Sequence, residues 1–251
     1  MIRLAGNEDL GALRPDSEAA VRILGLYPAY GISAKFLRFW CDPNRQVFIS
    51  LLDGAASVAI TDDADVEETA AFLKMQPEIR NIRTSEKAAK EIAGYGGWTL
   101  ESGVVMTTDA GLQTPALKPE ELSPREVYPL LASCFENGLP PFDSWYVDVS
   151  HRVRHGCCRI YGFRHDSRPV SCAMTTSECG SAAVIGGVAT LPGARGRGYA
   201  SSIILTLAKK LMNEDKAVFL SPKNDPARLL YSRLGFRECG GWGNLKKSER
   251  V

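Results

Sequence analysis

The stretch VATLPGARGRGYASS, residues 188–202, is the strongest single constraint on what this chain can fold into. A β-type run ends at Pro192, Gly193, Gly196 and Gly198 follow within six residues, and an apolar-striped helix starts directly afterwards. Glycines in such a turn accept dihedrals that other residues resist, and they let a ligand approach main-chain N–H groups closely. Several N–H groups aimed outward at a helix start form an anion site, to which Arg195 and Arg197 add charge. The expected guest is a phosphate or pyrophosphate.

Two common phosphate loops do not fit. Gly193 and Gly198 have the spacing of a P-loop, but Tyr199 stands where its lysine is required. Gly196 and Gly198 begin a dinucleotide fingerprint, yet Ser201 takes its third glycine position, and the next strand, AVFLS, does not end in a ribose-binding acid. Thirty basic residues against 29 acidic ones leave a formal charge of +1, so an electrostatic grip on nucleic acid or an anionic membrane is not indicated. The N-terminal MIRLAGNEDLGALRPDSE is polar and acidic, and no apolar run approaches the ~20 residues that span a bilayer. The expectation is a soluble, cytoplasmic protein. Seven cysteines without a spaced framework read as reduced thiols. His151 and His155 with Cys157 and Cys158 are not read as a metal site, because adjacent cysteines at a strand start face opposite ways.

The polar stretch TTDAGLQTPALKPEELS, residues 107–123, divides the chain into expected domains of 1–112 and 116–251. In the first, two β-rich runs meet at the hairpin signal Asp53-Gly54, then comes a helix capped by Asp65 with Glu68 reaching back, a strand and a further helix. In the second, Ser123-Pro124-Arg125-Glu126 opens a helix expected to stop at Gly138, and FDSWYVDVSHRVRH gives another. Three strand-like runs form an antiparallel meander leading into the glycine loop. Beyond the loop, Ala200, Ile203, Ile204, Leu207, Ala208 and Leu211 mark an amphipathic helix. A strand, a short helix with Asp225 as N-cap, and a closing strand near FRECGGWGNL complete the chain.

The pattern Arg195-x-x-Gly198-x-Ala200, with VFLSPKNDPARLLYSRLGF downstream, resembles the pyrophosphate loop and the strand, Asn, helix, LY and LGF ending of the GNAT superfamily of acyl-CoA-dependent N-acyltransferases. The resemblance covers roughly residues 116–251. It implies a mixed α/β (α+β) fold with a mostly antiparallel central sheet flanked by helices, preceded by a smaller, degenerate α/β domain of similar topology. It also implies an acetyl-CoA-dependent N-acetyltransferase acting on a primary amine of a small molecule or peptide, with acetyl-CoA as co-substrate.

By the same pattern, main-chain N–H groups of Arg195, Gly196, Arg197, Gly198, Tyr199, Ala200 and Ser201 cradle the pyrophosphate, and the strand edge at Val188, Ala189 and Thr190 pairs with the pantetheine arm. Gly186 and Gly187 are consistent with a bulge that splays this strand from its neighbour. Tyr231 matches the position that protonates the departing thiolate, and Asn224 a CoA-contacting asparagine. No general base is legible; Glu178, Asp148 and His155 are the candidates for a proton relay. A non-catalytic acyl-CoA sensor is the alternative reading.

Overall fold

One succession of elements occurs twice along the chain. The first copy runs β1 (Arg3–Leu4), α1 (Asn7–Ala12), α2 (Glu18–Tyr30), β2 (Leu37–Cys41), β3 (Val47–Leu52), β4 (Ala55–Ile60), α3 (Val66–Met75), β5 (Asn81–Ser85), α4 (Glu86–Gly94) and β6 (Trp98–Thr108). The second repeats it as β7 (Glu120–Glu121), α5 (Pro124–Cys134), α6 (Phe142–Arg154), β8 (Ile160–His165), β9 (Arg168–Glu178), β10 (Ala182–Thr190), α7 (Tyr199–Met212), β11 (Ala217–Leu220), α8 (Asp225–Leu234) and β12 (Arg237–Lys247). The computed structural model describes residues 1–109, 111–135 and 139–248. Gly138, expected to stop α5, lies outside the described residues; α5 ends at Cys134, with Phe135 as its C-cap.

The fold is mixed α/β with mostly antiparallel strands, as the resemblance implied. It divides into two units, Met1–Val105 with Glu238–Val251, and Met106–Arg237. Their limits differ from a simple cut at 112–116, because the closing strands are exchanged. Residues of β12 continue the first unit's sheet, antiparallel to β5 from Trp242↔Ser85 to Lys246↔Asn81. Residues Met106–Thr108 at the end of β6 pair with β11 in the second unit. Packing explains the placement of β12. Leu245 is buried in the first unit's core, and Gly243 leaves room for the methyl of Ala89, which a Cβ would meet at 2.1 Å.

In the first unit the strands order as β1-β2-β3-β4-β5-β12-β6, and the β4–β5 pair is parallel. Alternation along β3 builds two cores: Val47, Ile49 and Leu51 pack with Leu73 and Ile92 of α3 and α4, and Phe48 packs with Leu10, Ala20 and Ile23 of α1 and α2. Neither α1, α2, β1 nor β2 was anticipated from sequence. The Asp53-Gly54 hairpin is present, with both residues at positive φ (45° and 76°) as a type I′ turn requires. Asp65 caps α3, accepting from the Glu68 N–H at 2.8 Å, but the Glu68 carboxylate bonds the Ile2 N–H instead of reaching back.

In the second unit the order is β7-β8-β9-β10-β11 followed by the end of β6. The meander β8-β9-β10 is antiparallel, whereas β10 and β11 run parallel, as a crossover through α7 demands. One face carries α5 and α6 over Ile160, Cys172 and Met174. Helix α7 covers the other with Ile203, Ile204, Leu207, Ala208 and Leu211, all buried. Its position fixes where the glycine loop points. Among the described residues no helix is long and apolar enough to cross a membrane.

Charge also holds the first unit together. Glu18 on α2 is buried and pairs with Arg22 at 2.6 Å and Arg83 at 2.9 Å. Burial pushes its carboxyl up, but the two guanidinium charges outweigh it and hold the pKa at about 2. An acid whose folded pKa is depressed stabilises the fold fully above its unfolded value near 4.5, and this stabilisation is lost as pH falls towards 2. Wild-type protein is therefore expected to lose about 3 kcal/mol over that window through Glu18 alone. In urea titrations at stepped pH, Glu18→Gln should be less stable at pH 7 and show a correspondingly shallower acid slope.

Candidate functional site

The cleft begins where β10 leaves β11. The two strands pair over only four positions, Ala182↔Ala217 to Ile185↔Leu220, and β11 ends there while β10 continues to Thr190. On its other side β10 shifts register against β9 between Gly186 and Ala189, so Gly187 and Val188 sit in a bulge. Gly187 has φ +58°, and a Cβ at this position would meet Met174 Cγ at 2.9 Å. Glycine is thus required twice over. The bulge turns the edge of Val188, Ala189 and Thr190 towards a cleft of about 640 Å³.

The floor of the cleft at one end is the glycine loop. After Thr190 the chain makes a 3₁₀ turn at Pro192–Ala194, anchored by the buried Ala194. Arg195 folds back, its Nε–H donating to the Thr190 carbonyl at 3.2 Å, and Arg197 is exposed. Gly196 and Gly198 adopt φ +76° and +75°, with nothing within 4 Å of a Cβ. Their role is conformational rather than steric. Gly198 is the N-cap of α7 and has no side chain to cap it; Ser202 N–H is the one that bonds the Gly198 carbonyl. The N–H groups of Tyr199, Ala200 and Ser201 are consequently left without intrahelical acceptors, beside the positive end of the helix dipole. Helices α3, α4, α5 and α8 each have a side-chain cap, from Asp65, Ser85, Ser123 and Asn224. Tyr199 is fixed by a stacked contact with Phe163, ring centroids 4.7 Å apart.

The facing wall comes from β11 and α8. Asn224, rather than Asp225, is the N-cap of α8: its Oδ1 accepts the Ala227 N–H at 3.0 Å, leaving the amide Nδ2 as its donor towards the cleft. Tyr231 lies two turns into the helix and is 6% exposed. Its hydroxyl has no hydrogen-bond partner among the described residues. Burial pushes the phenol up to about 12. The residues expected to contact the cofactor, Val188 to Thr190, Arg195 to Ser201 and Asn224, therefore line one cleft with Tyr231.

Residues 160–245 match the family profile described as FR47-like protein. No curated protein sequence matches the chain. Among solved structures, a GNAT-family acetyltransferase from Novosphingobium aromaticivorans is similar with a TM-score of 0.62 at 20% identity, over 93% of this chain and 98% of that one. A GCN5-related N-acetyltransferase from Kribbella flavida gives 0.67 at 15% identity, over 92% and 96%. A tandem GNAT protein from the clavulanic acid biosynthesis pathway gives 0.58 at 14% identity over the full length of both chains. The chain has the GNAT fold.

Within this GNAT fold, the three side chains considered for a proton relay lie away from the cleft lining. Glu178 is buried among Arg159 at 2.6 Å, Lys216 at 2.7 Å and the Thr175 hydroxyl at 3.2 Å. Asp148 pairs with Arg152, one turn along α6. His155 caps the end of α6, its Nδ1 2.8 Å from the His151 carbonyl. These groups hold structure together. No other carboxylate or histidine lines the cleft among the described residues. Sequence reasoning also missed Cys134, Phe135 and Lys223, which do line it. A basic residue just before a helix-capping asparagine was a usable signal for Lys223. Phe135 had none, since its position depends on how α5 packs.

Glu178 gives a direct check on this division between structure and chemistry. Removing one member of a buried ion-pair cluster typically costs 3–5 kcal/mol, because the partners stay behind uncompensated. Glu178→Ala should lower stability by about 3 kcal/mol in guanidinium unfolding, while leaving ligand affinity in the cleft, read by calorimetry, within twofold of wild type.

Proposed function

We propose that this protein is an N-acetyltransferase that moves an acetyl group from acetyl-CoA to a primary amine by direct attack within a ternary complex. The observation that carries the reading is the pairing of an uncapped α7 N-terminus with a splayed β10 edge in one cleft. The first is an anion site and the second a row of main-chain groups open to an extended amide-bearing chain, which together fit a pyrophosphate joined to a pantetheine arm. The N–H groups of Arg195 to Ser201 would hold the pyrophosphate, with Arg195 and Arg197 adding charge, and the Asn224 amide would contact the arm. The main chain at Val188, in the bulge, would polarise the thioester carbonyl.

The reaction breaks the carbon–sulfur bond, forms a carbon–nitrogen bond and must move one proton from nitrogen to sulfur. Tyr231 suits that transfer as a relay. With its pKa near 12 the hydroxyl is protonated throughout the neutral range. Full donation to a thiolate whose acid has a pKa near ~8.5 would be uphill by about 5 kcal/mol and leave a buried phenolate. Giving its proton to sulfur while accepting the one that nitrogen sheds returns the hydroxyl unchanged. The lack of a carboxylate or histidine in the described lining fits an amine that arrives already deprotonated. The same lack favours the second reading, a module that binds acyl-CoA and senses it without turnover.

Titration calorimetry of acetyl-CoA, with ATP and NADH as controls, tests the binding half of the proposal. Saturable acetyl-CoA binding is expected, weakened at least 100-fold in Arg195→Glu/Gly198→Glu; no binding by wild type would remove both readings. A thiol-release assay over an amine library then separates them. Tyr231→Phe should reduce kcat by about 10–100-fold with acetyl-CoA affinity within threefold, whereas a sensor releases no thiol with any amine.

A further inference from the structure

The cleft lining carries charge of one sign. Among the described residues its ionic side chains are Arg195 and Arg197, which belong to the glycine loop, and Lys223, which comes from the opposite wall between β11 and α8. Lys223 Nζ lies 5.8 Å from the ring centroid of Phe135, and has no carboxylate partner among the described residues.

Phe135 locates this lysine along the cleft. Its N–H bonds the Leu131 carbonyl, and Leu131 Cδ2 lies 3.7 Å from where a Cβ on Gly187 would stand. The last turn of α5 is therefore packed against the bulge, and Lys223, over the Phe135 ring, lines the same cleft as Val188. A cation over an aromatic face at that distance is only weakly held. A carboxylate or phosphate offers it a much stronger, charge-assisted partner. Among the described lining residues a simple cationic amine meets only like charges and no carboxylate.

Building on the acetyl-transfer reading, we propose that the acceptor is a primary amine bearing a carboxylate or phosphate close to its nitrogen, with Lys223 holding the anion and Phe135 walling the carbon skeleton beside it. Lys223 then sets specificity: it orients the amine by its neighbouring charge and disfavours acceptors that are purely cationic.

The proposal is tested on the CoA-saturated protein, so that no turnover is needed. Calorimetry compares glycine, leucine, phenylalanine and glutamate with their α-amides, and phosphoethanolamine with ethanolamine. At least one anionic member should bind tenfold or more tightly than its neutral counterpart. That ratio should fall below three in Lys223→Gln and persist in Lys223→Arg. Equal binding of acids and amides throughout the panel would overturn the proposal, as would a ratio that survives Lys223→Gln. The same variant titrated with CoA and dephospho-CoA separates the other source of an anion: a fivefold loss confined to CoA would give Lys223 to the 3′-phosphate and refute its role towards the acceptor. If wild type binds no CoA, the transferase reading itself falls; if CoA binds and only the acid preference is missing, that reading stands and this one does not.

Discussion

The parting of β10 from β11 after four residue pairs is the constraint on which the second unit's cleft depends. A parallel ladder would normally continue, since buried main-chain groups left unpaired are costly. Here the register shift at Gly187 bends β10 away, and the freed edge at Val188–Thr190 faces a cleft. The same departure sets the direction of the glycine loop, because Thr190 is both the last residue of the freed edge and the carbonyl to which Arg195 folds back. Tyr231 is buried and lines the same cleft.

The two units share a succession of elements but differ at the start of the helix between their parallel strands. In the first, β4 and β5 are parallel over three pairs, Ala55↔Asn81 to Ser57↔Arg83, so this ladder is as short as its counterpart. What differs is the helix that follows. Asp65 places a carboxylate on the Glu68 N–H at the start of α3, with Glu67 and Glu68 in the first turn. A capped helix end surrounded by acids repels the anion that an uncapped one attracts. The side-chain cap in one unit and the left-handed glycine in the other are part of that difference.

Much of the second unit was legible because its signals are local. The Ser123 capping box, the apolar stripe of α7 and the glycine loop each depend on a few adjacent residues. The bulge was legible too, since two glycines inside a strand have few other uses. The exchange of β6 and β12 was not, because a strand's hydrophobic pattern states which face is buried and not which neighbour it joins. In the first unit, Ser17 as the cap of α2, with Ala19, Ala20 and Ile23 buried behind it, is a readable signal that went unused. The base candidates failed for a different reason. Glu178 is buried and charged, which is as much the mark of an ion-pair cluster as of a catalytic acid, and only its contacts with Arg159 and Lys216 decide between them.

Burial of Tyr231 and a described lining free of carboxylates fit one arrangement. A carboxylate placed in the cleft near the glycine loop would oppose the negative charge that Arg195, Arg197 and the α7 dipole attract, and would pair with Lys223. Keeping acids out preserves the anion site at one end and an uncommitted cation at the other. For the proposed acetyl transfer the cost falls on proton movement, since none of the described lining residues is a carboxylate or histidine. In that proposed reaction a neutral hydroxyl that both donates and accepts would serve without disturbing the electrostatics, and the burial that raises Tyr231 to about 12 keeps it neutral.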